Sequence, residues 1–167
     1  MWSDEHQDHI VTGAALDRSG SLYVTERGAV RKLNTIGDAF AYSKNVSAVI
    51  YAVAVDLQGN AYLTGCTNLR SFCKALYVSK VSPGTGELVY TTSLNGTVRE
   101  PGDRSSSSGA SSGSAITVTA TGAIYVGGYS ESYDFPTTNR SVRSRSTATS
   151  TQDAILFVLE PDQPGRK

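Results

Sequence analysis

Three observations predict that this chain is all-β, built from repeated antiparallel hairpins. Short apolar stretches alternate with turns that carry glycine and aspartate or threonine along most of the 167 residues. No segment long enough for a stable helix repeats its apolar residues at a 3.6 period. One ten-residue pattern occurs three times without a gap, as LDRSGSLYVT (16–25), VDLQGNAYLT (55–64) and VTATGAIYVG (118–127).

Each copy makes physical sense as a hairpin. In the second, Ala52–Val55 and Ala61–Thr64 are two short, largely buried strands on either side of Leu57-Gln58-Gly59. That spacing fits a three-residue loop, a type I turn closed by a glycine in the left-handed region, where a side chain would be strained. Gly20, Gly59 and Gly122 all stand at this place. Asp17 and Asp56 open the first two turns, where a carboxylate accepts from backbone amides about two residues on; Thr119 does the same more weakly in the third. A third strand follows each hairpin, at Ala29–Asn34, Ala75–Pro83 and Ala154–Pro161, and a fourth at Phe40–Lys44 and Leu88–Leu94. After Pro161 only DQPGRK follows, so the last unit has three strands.

The tyrosines of the three turns, Tyr23, Tyr62 and Tyr125, are 39 and 63 residues apart. The longer interval is accounted for by REPGDRSSSSGASSGS, a Ser/Gly-rich stretch with the composition of a flexible tether. Without it the period approaches that of propeller blades, roughly 40 to 50 residues. The resulting organisation is a polar tail (1–9), blade-like repeats over 10–48 and 49–98, the insert (99–113), an incomplete repeat (114–161) and a tail (162–167). The fold expected is a β-propeller-like array of about three four-stranded blades, the last incomplete. A ring normally needs about four to eight blades, so the array implies further blades, in a longer parent chain or in another copy.

The ordered set AVAVDLQGNAYLTG, YVSKVSP and LVYTTSLNG in unit two, and IYVGGYSESYDFPTT and DAILFVLEP in unit three, resembles the SBBP-type bacterial β-propeller repeat (seven-bladed β-propeller family). The likeness spans roughly residues 10 to 161, and unit one is the most degenerate copy. It implies a structural or protein- or carbohydrate-binding scaffold of secreted or surface proteins, with no shared catalytic residues. It also implies that Phe135-Pro136 covers a sheet edge or the gap between blades.

Composition narrows the partners. Fifteen Lys plus Arg balance fifteen Asp plus Glu, so no net field draws the chain to nucleic acid or an anionic membrane. The longest apolar run, Ala48–Val55, has eight residues, against roughly 20 for a spanning helix. The opening MWSDEHQDH is polar and acidic, unlike the apolar core of a signal peptide.

Candidate chemistry is sparse, and no catalytic, cofactor or metal residue is assigned. Gly109-Ala110-Ser111-Ser112-Gly113 matches the G-x-S-x-G nucleophile elbow, but both flanks are low-complexity Ser/Gly instead of strand and helix. His6 and His9, beside Asp4, Glu5 and Asp8, have metal-ligand chemistry, yet a terminus without a third cluster reads as a solvated tail. Cys66 and Cys73 are the only cysteines, and the sequence leaves a loop-stapling disulfide and two thiols equally open. Sequons at Asn45, Asn95 and Asn139 are close to chance for this Ser/Thr-rich chain. Arg140, Arg143 and Arg145 form a local basic patch, with a solvated loop as the default. DLQGN lacks the alternating acids of a calcium loop.

The function expected is therefore a non-catalytic module with rigid sheets and variable loops, above all Glu131–Gln152. The rival is a lyase, hydrolase or oxidase with its site at a propeller's central opening, since fold alone does not fix function. A third, anion binding through the arginine loop, predicts salt-dependent binding to heparin or nucleic acid.

Overall fold

The computed structural model describes residues 10–67, 73–96, 109–132, 134–136 and 152–160. These form eleven strands and no helix: β1 (Gly13–Leu16), β2 (Leu22–Glu26), β3 (Ala29–Leu33), β4 (Phe40–Asn45), β5 (Ala48–Val55), β6 (Ala61–Thr67), β7 (Leu76–Val81), β8 (Leu88–Leu94), β9 (Ser111–Val118), β10 (Ile124–Ser130) and β11 (Asp153–Leu159). They make three antiparallel sheets, each in simple chain order: β1-β2-β3-β4, β5-β6-β7-β8 and β9-β10-β11. Among the described residues no helix is long and apolar enough to cross a membrane.

The three turns share one hydrogen-bond pattern. Asp17 N–H donates to Ser21 O and Gly20 N–H to Asp17 O; Asp56/Asn60 with Gly59 and Thr119/Ala123 with Gly122 repeat both bonds, at 2.9 to 3.1 Å throughout. Gly20, Gly59 and Gly122 have φ of 86°, 83° and 87°, the left-handed region that costs an L-residue roughly 1 kcal/mol or more. A β-carbon at Gly122 would meet nothing, whereas one at Gly59 would lie 3.2 Å from Pro83 Cβ and 3.5 Å from the Tyr23 hydroxyl. Gly122→Ala should therefore lower stability by about 1 kcal/mol, and Gly59→Val by clearly more. Equal shifts in chemical-denaturation midpoint would contradict this difference.

Two cores lie between the sheets. Tyr23, Val30, Ile50, Val53, Leu63 and Val81 anchor the first, between the first two sheets. Tyr62, Leu76, Val78, Ile124 and Val126 anchor the second, with Ile155, Phe157 and Leu159 packed on it. The first strands come close together: β1 and β2 lie against β5, and β9 lies across β5, β6 and β7. Small residues permit the approach. A β-carbon at Gly13 would sit 3.2 Å from the Ala52 Cα, and one at Gly113 would overlap the Thr64 hydroxyl.

That last contact corrects the boundary of the Ser/Gly-rich insert. Residues 111–113 are not tether but the buried start of β9, paired with Gly128–Ser130. Composition alone misreads them, because small polar residues suit a crowded, hydrogen-bonded strand as well as a flexible one. The β5 strand also begins at Ala48, four residues before the hairpin alternation, and β11 begins at Asp153.

Candidate functional site

A dense polar cluster sits where the first sheet's turn meets the second's. Asp17 Oδ1 accepts from the Ser19 amide (2.9 Å), the Ser19 hydroxyl (2.6 Å) and the Ser21 amide (2.9 Å). Its Oδ2 is 3.1 Å from the Lys32 ammonium and 3.4 Å from the Tyr23 hydroxyl. The single Tyr23 hydroxyl proton is better used elsewhere: it lies 2.7 Å from the Gly59 carbonyl oxygen, in the next sheet's turn. Lys32 also stands over the Tyr23 ring, 4.8 Å from its centroid. Burial alone would raise the Asp17 carboxyl, but hydrogen bonds from Ser19, Ser21 and Lys32, with the Lys32 charge, outweigh it and hold the group far below the usual carboxylate range. Burial raises the Tyr23 phenol.

The second sheet repeats the arrangement. Asp56 Oδ1 accepts from the Gln58 and Asn60 amides (3.0 and 2.8 Å), and Oδ2 from the Asn60 side chain (2.8 Å) and the Tyr62 hydroxyl (3.0 Å). Lys80 lies over the Tyr62 ring at 5.3 Å. Burial opposes ionisation of Asp56, and the bonds from Asn60, Tyr62 and Gln58 overcome it, so this carboxyl too is lowered. In the third sheet Thr119 accepts from the Ala123 amide at 3.0 Å, and Val158 faces Tyr125 where lysine stood before.

A cleft of about 260 Å³ separates the first two turns, lined chiefly by Asp17, Ser19, Lys32, Gln58, Gly59 and Pro83. It is smaller than the roughly 300 Å³ at which ligand pockets begin, and Asp17 and Lys32 already pair with each other, leaving Arg18 as the further charge in its lining. The cluster fixes turns and joins sheets. Both lowered carboxyls contribute stability that is fully present above their unfolded pKa, about 4, and lost as pH falls through their folded values. Asp17→Asn should thus melt well below the parent chain at pH 7, and the gap should close below about pH 4. A gap independent of pH would refute the assignment.

Cys66, buried at the end of β6, and Cys73 form a disulfide with Cα atoms 5.3 Å apart, closing the β6–β7 link. Ser111 of the G-x-S-x-G match is fully buried. Its hydroxyl lies 2.9 Å from Asn95 Oδ1 and 2.8 Å from the Ser130 hydroxyl, so neither neighbour is a general base. Ser132 also reaches Asn95 Oδ1 (3.2 Å). A β-carbon at Gly96 would crowd Ser132, Asp134 and the Phe135 amide nitrogen, and Phe135 is buried. Glu131 and Gln152, the ends of the long loop, are bonded at 3.1 Å. Asn45 is exposed at the end of β4. His6, His9, Asn139, Arg140, Arg143 and Arg145 lie outside the described residues. Among the described residues no three His, Cys, Asp or Glu side chains are grouped to hold a metal.

Lys32 and Lys80 were not singled out in the sequence. Their signal is there, one lysine on the third strand of each of the first two units, but it needs the strand register to be seen. No family model matches the chain, and no curated protein matches it.

Proposed function

We propose that this chain is a non-catalytic repeat module of the β-propeller kind, three successive blades of a structural or protein- or carbohydrate-binding scaffold of the SBBP type. The observation that carries the reading is the serial stacking of the sheets: the first and the second each place a turn tyrosine on the face turned to the next sheet, with first strands side by side. The tightly hydrogen-bonded turns hold the sheets rigid, and the contacts are presented by the connecting segments, above all 131–152. A secreted or surface location accords with the Cys66–Cys73 disulfide.

Glycan and peptide arrays probed with the labelled chain test this. Saturable binding is expected, and it should be lost when 137–151 is replaced by a short Gly/Ser linker, while Asp17→Asn binds normally. Turnover of glycoside, ester or uronate substrates by the purified chain, or binding indifferent to the loop, would overturn the reading.

A further inference from the structure

We infer that the outer face of the third sheet is a docking surface for the first sheet of a second copy of this chain. The inference rests on the blade reading above. Its basis is an interface that the chain builds twice. The face turned to the next sheet carries Tyr23, Val30 and Lys32 in the first sheet and Tyr62, Val78 and Lys80 in the second, on paired or adjacent register positions. The third sheet offers Tyr125, Leu156 and Val158 at the same positions. Burial separates them sharply. Tyr23 is 0% exposed and Tyr62 3%, but Tyr125 is 39% and Leu156 74% exposed.

The receiving face shows the converse. Ala61, Leu63 and Val81 receive the first sheet, and Ile124, Val126 and Leu159 receive the second. Leu22, Val24 and Leu33 are their counterparts in the first sheet. They are only partly buried, beside Leu16 at 66% exposure. The three sheets therefore carry both halves of the same contact, one on the first sheet and one on the third. A second copy has the complementary half for each of these two faces, which is a heterologous arrangement able to close a ring.

Chemistry favours the match. In the third unit Val158 and Thr119 replace the lysine and aspartate of the earlier units, so the offered face lacks their ion pair, and the charge nearest to Val158 along the chain is the exposed Glu160 at its rim. On the receiving face Arg31 and Glu26 are paired with each other at 3.0 Å, so docking strands neither of these two charges. The Tyr125 hydroxyl, which has Thr119 in place of a turn aspartate, then has the Gly20 carbonyl of the other copy as Tyr23 has Gly59, a bond that Tyr62 gives instead to its own Asp56. Two copies bring six sheets, within the four to eight of closed propellers.

Sedimentation equilibrium of the full chain tests this, with circular dichroism to verify folding. The parent should sediment at twice the chain mass. Leu156→Lys and Leu16→Lys, both at exposed positions, should each fold and sediment as single chains, and mixing them should restore pairing through the one intact contact. A folded parent that stays monomeric to its solubility limit would overturn the docking while leaving the module reading in place. So would dimers that survive Leu156→Lys, or dimers of Leu16→Lys alone, which would mean that third sheets pair with each other.

Discussion

Gly65→Ala is expected to destabilise the chain by about 3 kcal/mol or more, at the upper end of overpacking effects. The cause is local and steric. In the pairing of β5 with β6, Ile50 and Ala52 face Gly65 and Thr64, and Tyr51 bulges out between them. The bulge drives the Val49 carbonyl onto the Gly65 Cα, so that any β-carbon there would overlap that oxygen. Backbone cannot rotate away as a side chain can, and β5 contributes to the core on which the first sheet packs. The third sheet repeats the device: Ser114 is skipped between Ala115 and Gly113, and a β-carbon at Gly128 would overlap the Ser112 carbonyl. Gly127→Ala is the control, since its β-carbon would have only the Ala115 Cβ, at 4.0 Å. Urea midpoints should fall sharply for Gly65→Ala and Gly128→Ala and stay within about 0.5 kcal/mol of the parent for Gly127→Ala. Similar midpoints for all three would remove the bulges from the account.

Tyr23→Ala should be comparably severe, about 3 to 5 kcal/mol. The ring is fully buried in the first core, stands edge-on to Tyr42 with centroids 6.4 Å apart and supports Lys32. Its removal opens a void that spans two sheets. Tyr23→Phe keeps the ring and deletes only the hydroxyl, leaving the buried Gly59 carbonyl without that donor, so its cost should be roughly 1 to 2 kcal/mol. The pair of variants separates packing from hydrogen bonding. If Tyr23→Phe were neutral, the bond to Gly59 would be incidental and the sheets would be held by apolar contact alone.

The parts of this structure legible in the sequence are those whose chemistry is local. An aspartate and a glycine three residues apart specify the turns at 17–20 and 56–59, because the carboxylate and the left-handed glycine act within four residues. The strand pairing followed from those turns, and Leu88–Leu94 was located in full. What escaped depends on register or on distant contact. Gly65 and Gly128 read as ordinary strand residues, since the bulge that demands them lies on the neighbouring strand. Lys32 and Lys80 meet Tyr23 and Tyr62 only across β2–β3 and β6–β7 pairs. Ser111 looked like tether because nothing near it in sequence names Asn95 or Ser130 as its partners. The cysteines were equally open to thiol or disulfide, since a separation of seven residues does not tell whether the Cα atoms close to 5.3 Å.

The first two sheets each stack on the next through a turn tyrosine, Tyr23 seated at the following turn and Tyr62 packed on the third sheet's apolar residues. A nuclear Overhauser spectrum of the isotopically labelled chain tests it most directly. The Tyr23 ring should show strong cross-peaks to the Gly59 α-protons and to Pro83, beside which Gly59 lies, and the Tyr62 ring to Ile124 or Val126. A Tyr23 ring whose cross-peaks stay within residues 13–45 would contradict the stacking, and the blade reading with it.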